Sequence, residues 1–152
     1  MAILSDQVRQ QLHDRFAERL QQPVQLTLFI RPGSGRLILP TGLGCPTCED
    51  ARRLAEELQA AAPDHLALQI VDITAGGPEA AGVEEVPTLT VAAAGEEARI
   101  RWQGLAAGYE FAAVVDAIER VSRREHGLRQ ESLSALDRLT DPLELMVFAT
   151  PT

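Results

Sequence analysis

Lysine and asparagine are both absent from the 152 residues, so all 14 positive side chains are arginines, set against 22 carboxylates. GC-rich coding or thermal adaptation would each give this bias. The net charge of −8, with a pI near 4.8 and no basic cluster, argues against a nucleic-acid or anionic-membrane binder. No run approaches 18 apolar residues, so no transmembrane helix is expected. Asp6 and Arg9 fall where a signal peptide needs an apolar stretch, which leads to the expectation of a cytoplasmic protein. Neither a flavin nor a nicotinamide fingerprint occurs, and no Gly-Lys-Ser/Thr follows the glycines before residue 45, so no cofactor is expected. Only two cysteines exist, Cys45 and Cys48, and residues so close together cannot staple a fold. What remains is 45% hydrophobic and 24% charged, the make-up of one ordinary globular domain.

Along the chain, Ser5 is placed to cap a helix over 6–21, with Val8, Leu12, Phe16 and Leu20 in one apolar stripe ended by Pro23. Residues 24–30 alternate as a strand. The segment 31–44, with four glycines and two prolines, reads as a loop that could add a short strand at 36–39. Helical spacing returns from Pro46 to about Ala62, with Ala51, Leu54, Ala55, Leu58 and Ala62 inward. A second strand is expected over 66–73, followed by a Gly-Gly-Pro connection and a helical turn near 78–82. Strands over 88–93 and 98–102 flank a short turn and read as a hairpin. A helix over 109–123, a small one near 131–139 and an apolar strand-like run over 143–149 complete the order. The fold class is therefore α/β. A crossover makes the first two strands parallel and the hairpin antiparallel, giving a mixed four-stranded sheet expected to carry helices on both faces.

The dithiol Cys45-Pro46-Thr47-Cys48 stands where a loop hands over to a helix. Unpaired amides at a helix N-terminus stabilise a thiolate, so Cys45, at the cap or first position, is expected to be exposed with a lowered pKa. Cys48, one turn later, lies deeper and within reach of a mixed disulfide on Cys45. Pro46 suits a first helical turn because its missing amide proton would have been an orphan. Glu49 and Asp50 oppose a second anion there, so the spacing leaves the redox poise open. A zinc half-site is the competing reading of Cys-x-x-Cys. It needs four ligands, and His13, His65 and His126 sit singly in separate predicted elements, so no metal is expected.

Pro87, 39 residues after Cys48, begins the third strand in Glu85-Val86-Pro87-Thr88. A cis Val86–Pro87 bond would set the Val86 backbone beside the dithiol, where an extended substrate could pair with it as an added strand. Arg52 and Arg53 on the dithiol helix read as solvated charges rather than contacts to a substrate such as glutathione. Asp72, near a strand end, reads as a cap of the next turn rather than a proton carrier for Cys48. Trp102 reads as core or edge packing.

Taken together, Cys-Pro-Thr-Cys at the first helix after a strand, Val86-Pro87-Thr88 at the third strand and a glycine before the last helix resemble the thioredoxin/glutaredoxin fold. The resemblance sharpens toward the two-unit protein disulfide oxidoreductases, glutaredoxin-like proteins of thermophilic archaea and bacteria. It is carried by ILSDQ at the start, Pro23-Val24 opening the first strand, and Gly104-Leu105-Ala106-Ala107-Gly108-Tyr109-Glu110-Phe111 near the end. It implies that Cys45 attacks and Cys48 resolves, that Pro87 is the cis-proline, and that Pro46, Thr47 and Val86 line the substrate site. Gly104 and Gly108 would serve backbone geometry.

The implied activity is dithiol–disulfide exchange with disulfide-containing proteins, with electrons from another protein or a small thiol. The domain expectation is 1–125 as the thioredoxin-like unit and 126–152 as an extension resembling the start of a second unit. Two departures stand out. The loop 31–44 is long, and its Leu37-Ile38-Leu39 patch could form a flap or a plain hairpin excursion. The apolar run at 143–149 leads to no further Cys-x-x-Cys here, and it is expected to pair with the sheet or with a second chain as a homodimer. The alternative function is a non-catalytic module similar to the N-terminal domain of the flavin-containing component of alkyl hydroperoxide reductase. The first half of that domain lacks the dithiol, so Cys45 and Cys48 argue against it.

Overall fold

A computed structural model of the chain describes residues 2–31, 44–80 and 82–149. The flap expectation at 37–39 and the short strand at 36–39 lie outside the described residues.

Helix α1 spans Asp6–Arg19, and the Ser5 hydroxyl accepts the Val8 amide as its cap. Strand β1, Val24–Ile30, follows, then α2, Cys48–Ala61, and β2, Leu66–Asp72. Two 3₁₀ turns, Ile73–Ala75 and Pro78–Ala80, lead to the hairpin of β3, Thr88–Ala93, and β4, Ile100–Gln103. Helix α3, Tyr109–Arg123, and the short α4, Gln130–Leu136, complete the order. The sheet runs β2-β1-β3-β4. Strands β1 and β2 are parallel, from Val24 opposite Leu66 to Ile30 opposite Asp72. The β1–β3 and β3–β4 pairs are antiparallel. This is the expected mixed four-stranded α/β sheet flanked by helices.

The core corrects one expectation. Alternation puts Val24, Leu26, Leu28 and Ile30 on one face of β1, with Leu66, Leu89 and Val91 beside them in register. Against this face pack Leu12 and Phe16 of α1, Ala51, Ala55 and Leu58 of α2, and Val114, Val115 and Ile118 of α3. All three long helices therefore cover the same side. The other side presents Gln25, Thr27, Gln69, Thr90 and Arg101, with only Phe29, Val71, Thr88 and Ala92 buried there. The connection that would need to carry a second-face helix holds Gly76 and Gly77 at positive φ. Backbone in that region ends a helix at once, so two 3₁₀ turns form instead.

Polar groups lock α1 into this layer. Glu119 of α3 is buried and accepts bonds from Arg15, through Nε and through Nη2 at 3.1 Å, and from Arg19 Nη1 at 3.3 Å. Its carboxylate pushes the Arg15 guanidinium further above its already high range, chiefly through the hydrogen bond. The Ser122 hydroxyl, fully buried, accepts the amides of Gln21 and Gln22 and donates to the Gln22 carbonyl at 2.7 Å. Glu57 of α2 takes the Ile3 and Leu4 amides at 2.7 and 2.9 Å, and His13 Nδ1 meets the Ala61 carbonyl at 3.1 Å.

Beyond Ser122 no described residue is buried. The run 143–149 forms no strand, against expectation. A strand needs a neighbour for its backbone groups, and this run takes none among the described residues.

Candidate active site

The sheet topology decides which groups meet. Helix α2 is about 21 Å long at the usual rise per residue. Its C-terminus joins β2 at Leu66, opposite Val24, so its N-terminus lies at the other end of the sheet, where β1 finishes. Strand β3 begins at that same end, Thr88 facing Phe29, and β4 finishes there, Gln103 facing Thr88. The dithiol, the 84–87 segment and the N-terminus of α3 are thus gathered at one end by the sheet alone.

There Cys45 and Cys48 form a disulfide, with an S–S distance of 2.02 Å and Cα atoms 5.4 Å apart. Cys48 opens α2 and is 4% exposed, whereas Cys45 is half-buried and Pro46 exposed. The two cysteines thus differ in exposure, as the spacing suggests. The placement of Cys45 differs from expectation. Thr47 is the N-cap, and Cys45 and Pro46 precede it in a turn in which the Cys45 carbonyl accepts the Cys48 amide at 3.4 Å. The ring closed by the disulfide holds these four residues as a turn, so helix α2 starts two residues later than Pro46. The Thr47 side chain makes no capping bond, and the first-turn amides of α2 are left to the turn and to whatever approaches it.

Across from this turn, the Val86–Pro87 peptide bond is cis and Pro87 is buried. The Pro87 carbonyl accepts the Gly104 amide at 2.8 Å, and the Thr88 hydroxyl donates to the Glu85 carbonyl at 2.7 Å. These bonds hold the segment on either side of Val86. The Val86 amide and carbonyl pair with no other backbone group among the described residues. Gly104 has φ +100, a conformation that a side chain would strain, so its role is to turn the chain under Pro87. Leu105 and Ala106 then line a narrow gap with Ala51, Leu54 and Leu89 behind the dithiol turn. Their contribution was legible only as part of the 104–111 stretch, because neither residue carries chemistry by itself.

The charged residues sort themselves. Arg53 pairs with Glu49 at 3.2 Å along the helix, which leaves it a surface role. Arg52 is half-buried, and its Nε has no partner among the described residues, a feature with no signal in the sequence. Asp72 caps the turn after β2, as expected. Its carboxyl lies below the usual range because the Thr74 hydroxyl and then the Thr74 amide bond to it. Trp102 is partly buried on β4 opposite Leu89. No cluster of three or more metal-binding side chains occurs among the described residues. His13 and His126 are engaged separately, with the Ala61 carbonyl and the Leu128 amide. No helix among the described residues is long and apolar enough to cross a membrane.

A mixed four-stranded sheet of this order, with Cys-x-x-Cys at the start of α2, is a thioredoxin-like fold. Solved structures agree. A protein disulfide oxidoreductase from Aeropyrum pernix superimposes with a TM-score of 0.73 at 32% identity, over 91% of this chain and 56% of that one. An alkylhydroperoxide reductase from Enterococcus faecalis matches at 0.70 and 21% identity, over 90% of this chain and 61% of that one. The N-terminal domain of the same reductase matches at 0.65 and 19%, covering 84% and 57%. The last two share the fold. The chain spans less than two-thirds of the length of each of these structures. Neither a protein-family model nor a curated protein matches the sequence. The Aeropyrum protein and the Cys45–Cys48 pair together support thiol–disulfide redox function in general terms.

Proposed function

We propose that the chain is a dithiol–disulfide oxidoreductase acting on protein disulfides. The observation that carries this reading is the Cys45–Cys48 disulfide, with Cys45 half-buried and Cys48 buried, at the sheet end that also holds the Val86–Pro87 segment. In the reduced protein, the Cys45 thiolate attacks a substrate disulfide, forming a mixed disulfide and releasing one substrate sulfur as a thiolate. The Cys48 thiolate then attacks the Cys45 sulfur, closing the ring and releasing the second substrate sulfur. Two electrons pass to the substrate, and a donor protein or small thiol restores the dithiol. The free amides of the first turn of α2 favour the Cys45 thiolate over the thiol. Val86 offers its backbone to an extended substrate segment, held in place by Pro87, with Pro46 and Thr47 along the other side. Residues 1–125 act as the redox unit and 126–152 as an appendage to it, and the compartment is the cytoplasm.

The test is reduction of insulin by dithiothreitol with wild-type protein beside Cys45→Ser. The variant is expected to fall to the uncatalysed rate, a loss of at least about 100-fold in the catalysed component. Equal rates for the two proteins would remove the proposal. Cys48→Ser is expected to accumulate a mixed disulfide with substrate, visible by mass spectrometry.

A further inference from the structure

Two threonines stand two residues apart on the helix-free face of β3, and their hydroxyls go to different places. Thr90 Oγ1 donates across the sheet to the carbonyl of Thr27, its neighbour in register on β1, at 3.4 Å. Thr88 is fully buried, and its hydroxyl donates back along its own chain to the Glu85 carbonyl at 2.7 Å. Thr88 is itself held by strand pairing on both sides, opposite Phe29 and opposite Gln103. Its side chain therefore ties the segment before Pro87 to the middle of the sheet.

The bond fixes a direction as well as a position. A trans peptide unit is planar, with its carbonyl and its amide pointing opposite ways. The Glu85–Val86 unit is trans, since the cis bond of this segment is the next one along. Holding the Glu85 carbonyl toward Thr88 thus turns the Val86 amide away from Thr88. That amide pairs with no other backbone group among the described residues. On the far side of Val86, the Pro87 carbonyl accepts the Gly104 amide at 2.8 Å. Val86 thus lies between two anchored carbonyls, and it packs against the same core cluster as Cys45.

We propose that Thr88 is a positioning residue for substrate: its hydroxyl aims the Val86 amide, so that disulfides carried on an extended backbone react in preference to small disulfides. The inference rests on the redox reading above. An extended segment has a carbonyl to accept the Val86 amide, and an amide already aimed needs less ordering when the segment docks. A small disulfide without peptide groups has nothing to pair there, and its rate depends on the dithiol alone. Without the hydroxyl, the Glu85–Val86 unit is free to turn and the amide is no longer held in one direction.

The test mixes fully reduced protein, freed of dithiothreitol, with insulin or with hydroxyethyl disulfide and reads the second-order rate constant of dithiol oxidation. Thr88→Val keeps the shape of the side chain and removes the hydroxyl. Its constant with insulin is expected to fall about fivefold to tenfold, while that with hydroxyethyl disulfide stays within about twofold. Thr88→Ser keeps the hydroxyl and is expected to react with insulin within about twofold of wild type. Thr88→Ala loses the same hydroxyl without adding a methyl, and the same split is expected, so the test does not depend on one variant folding. Insulin constants equal to wild type in Thr88→Val and Thr88→Ala would overturn the proposal. So would equal losses on both disulfides, or a loss in Thr88→Ser as large as in Thr88→Val. These outcomes leave the redox reading standing, whereas a wild-type protein oxidised by neither disulfide would overturn both.

Discussion

Phe16 and Phe148 are the same side chain in two regions of one molecule: the first is fully buried, the second 91% exposed. Phe16 sits on a 14-residue helix whose apolar stripe meets α2, α3 and the sheet, with Glu119 and Ser122 fixing the angle of approach. Phe148 follows α4, seven residues long, which buries none of its residues among those described. Hydrophobicity is equal in the two places. What differs is that, among the described residues, other elements present a complementary face to Phe16 and none does to Phe148.

Truncation gives the widest separation between the two regions. Phe16→Ala should cost about 3–5 kcal/mol in denaturant unfolding, through lost transfer energy and a cavity among close-packed neighbours. Phe148→Ala at low protein concentration should change stability by less than about 0.5 kcal/mol. A large effect at Phe148 in dilute solution would break the comparison. Removing the polar locks should give an intermediate loss. Glu119→Ala and Ser122→Ala should each cost about 1–3 kcal/mol, the first by orphaning Arg15 and Arg19, the second by stranding the Gln21 and Gln22 amides.

The smallest effect is expected at Asp72. Its carboxyl titrates lower in the folded chain than in the unfolded one, because of the Thr74 hydroxyl and amide. The stability it contributes is therefore full above its unfolded pKa and is lost as pH falls through the lower folded value. Asp72→Asn should flatten the acid side of the stability profile slightly while leaving insulin reduction at neutral pH intact. Loss of activity there would instead make Asp72 a proton carrier for Cys48.

Much of the fold was legible because local chemistry and tertiary packing agree. Strands 24–30 and 88–93 and helix 109–123 occur with the bounds expected from periodicity and glycine placement. The dithiol and the Val86–Pro87 step were legible because both residue types announce their chemistry in short motifs. The start of α2 was read two residues early, since helical spacing from Pro46 onward says nothing of the ring that Cys45 and Cys48 close. The one-sided helical layer was misread for another reason: alternation shows that a strand has two faces but not which helix covers which. Run 143–149 has a strand's pattern but pairs with no strand among the described residues.

The sequence by itself determined most of the elements, their order and the Cys45–Cys48 pairing, because capping, periodicity and thiol spacing act within a few residues. Only the tertiary structure decided that Val86, 38 positions after Cys48, shares an end of the sheet with it, since strand pairing alone joins residues so far apart. It likewise decided that Glu119 could be buried, because its charge is held by arginines from a helix 100 residues earlier.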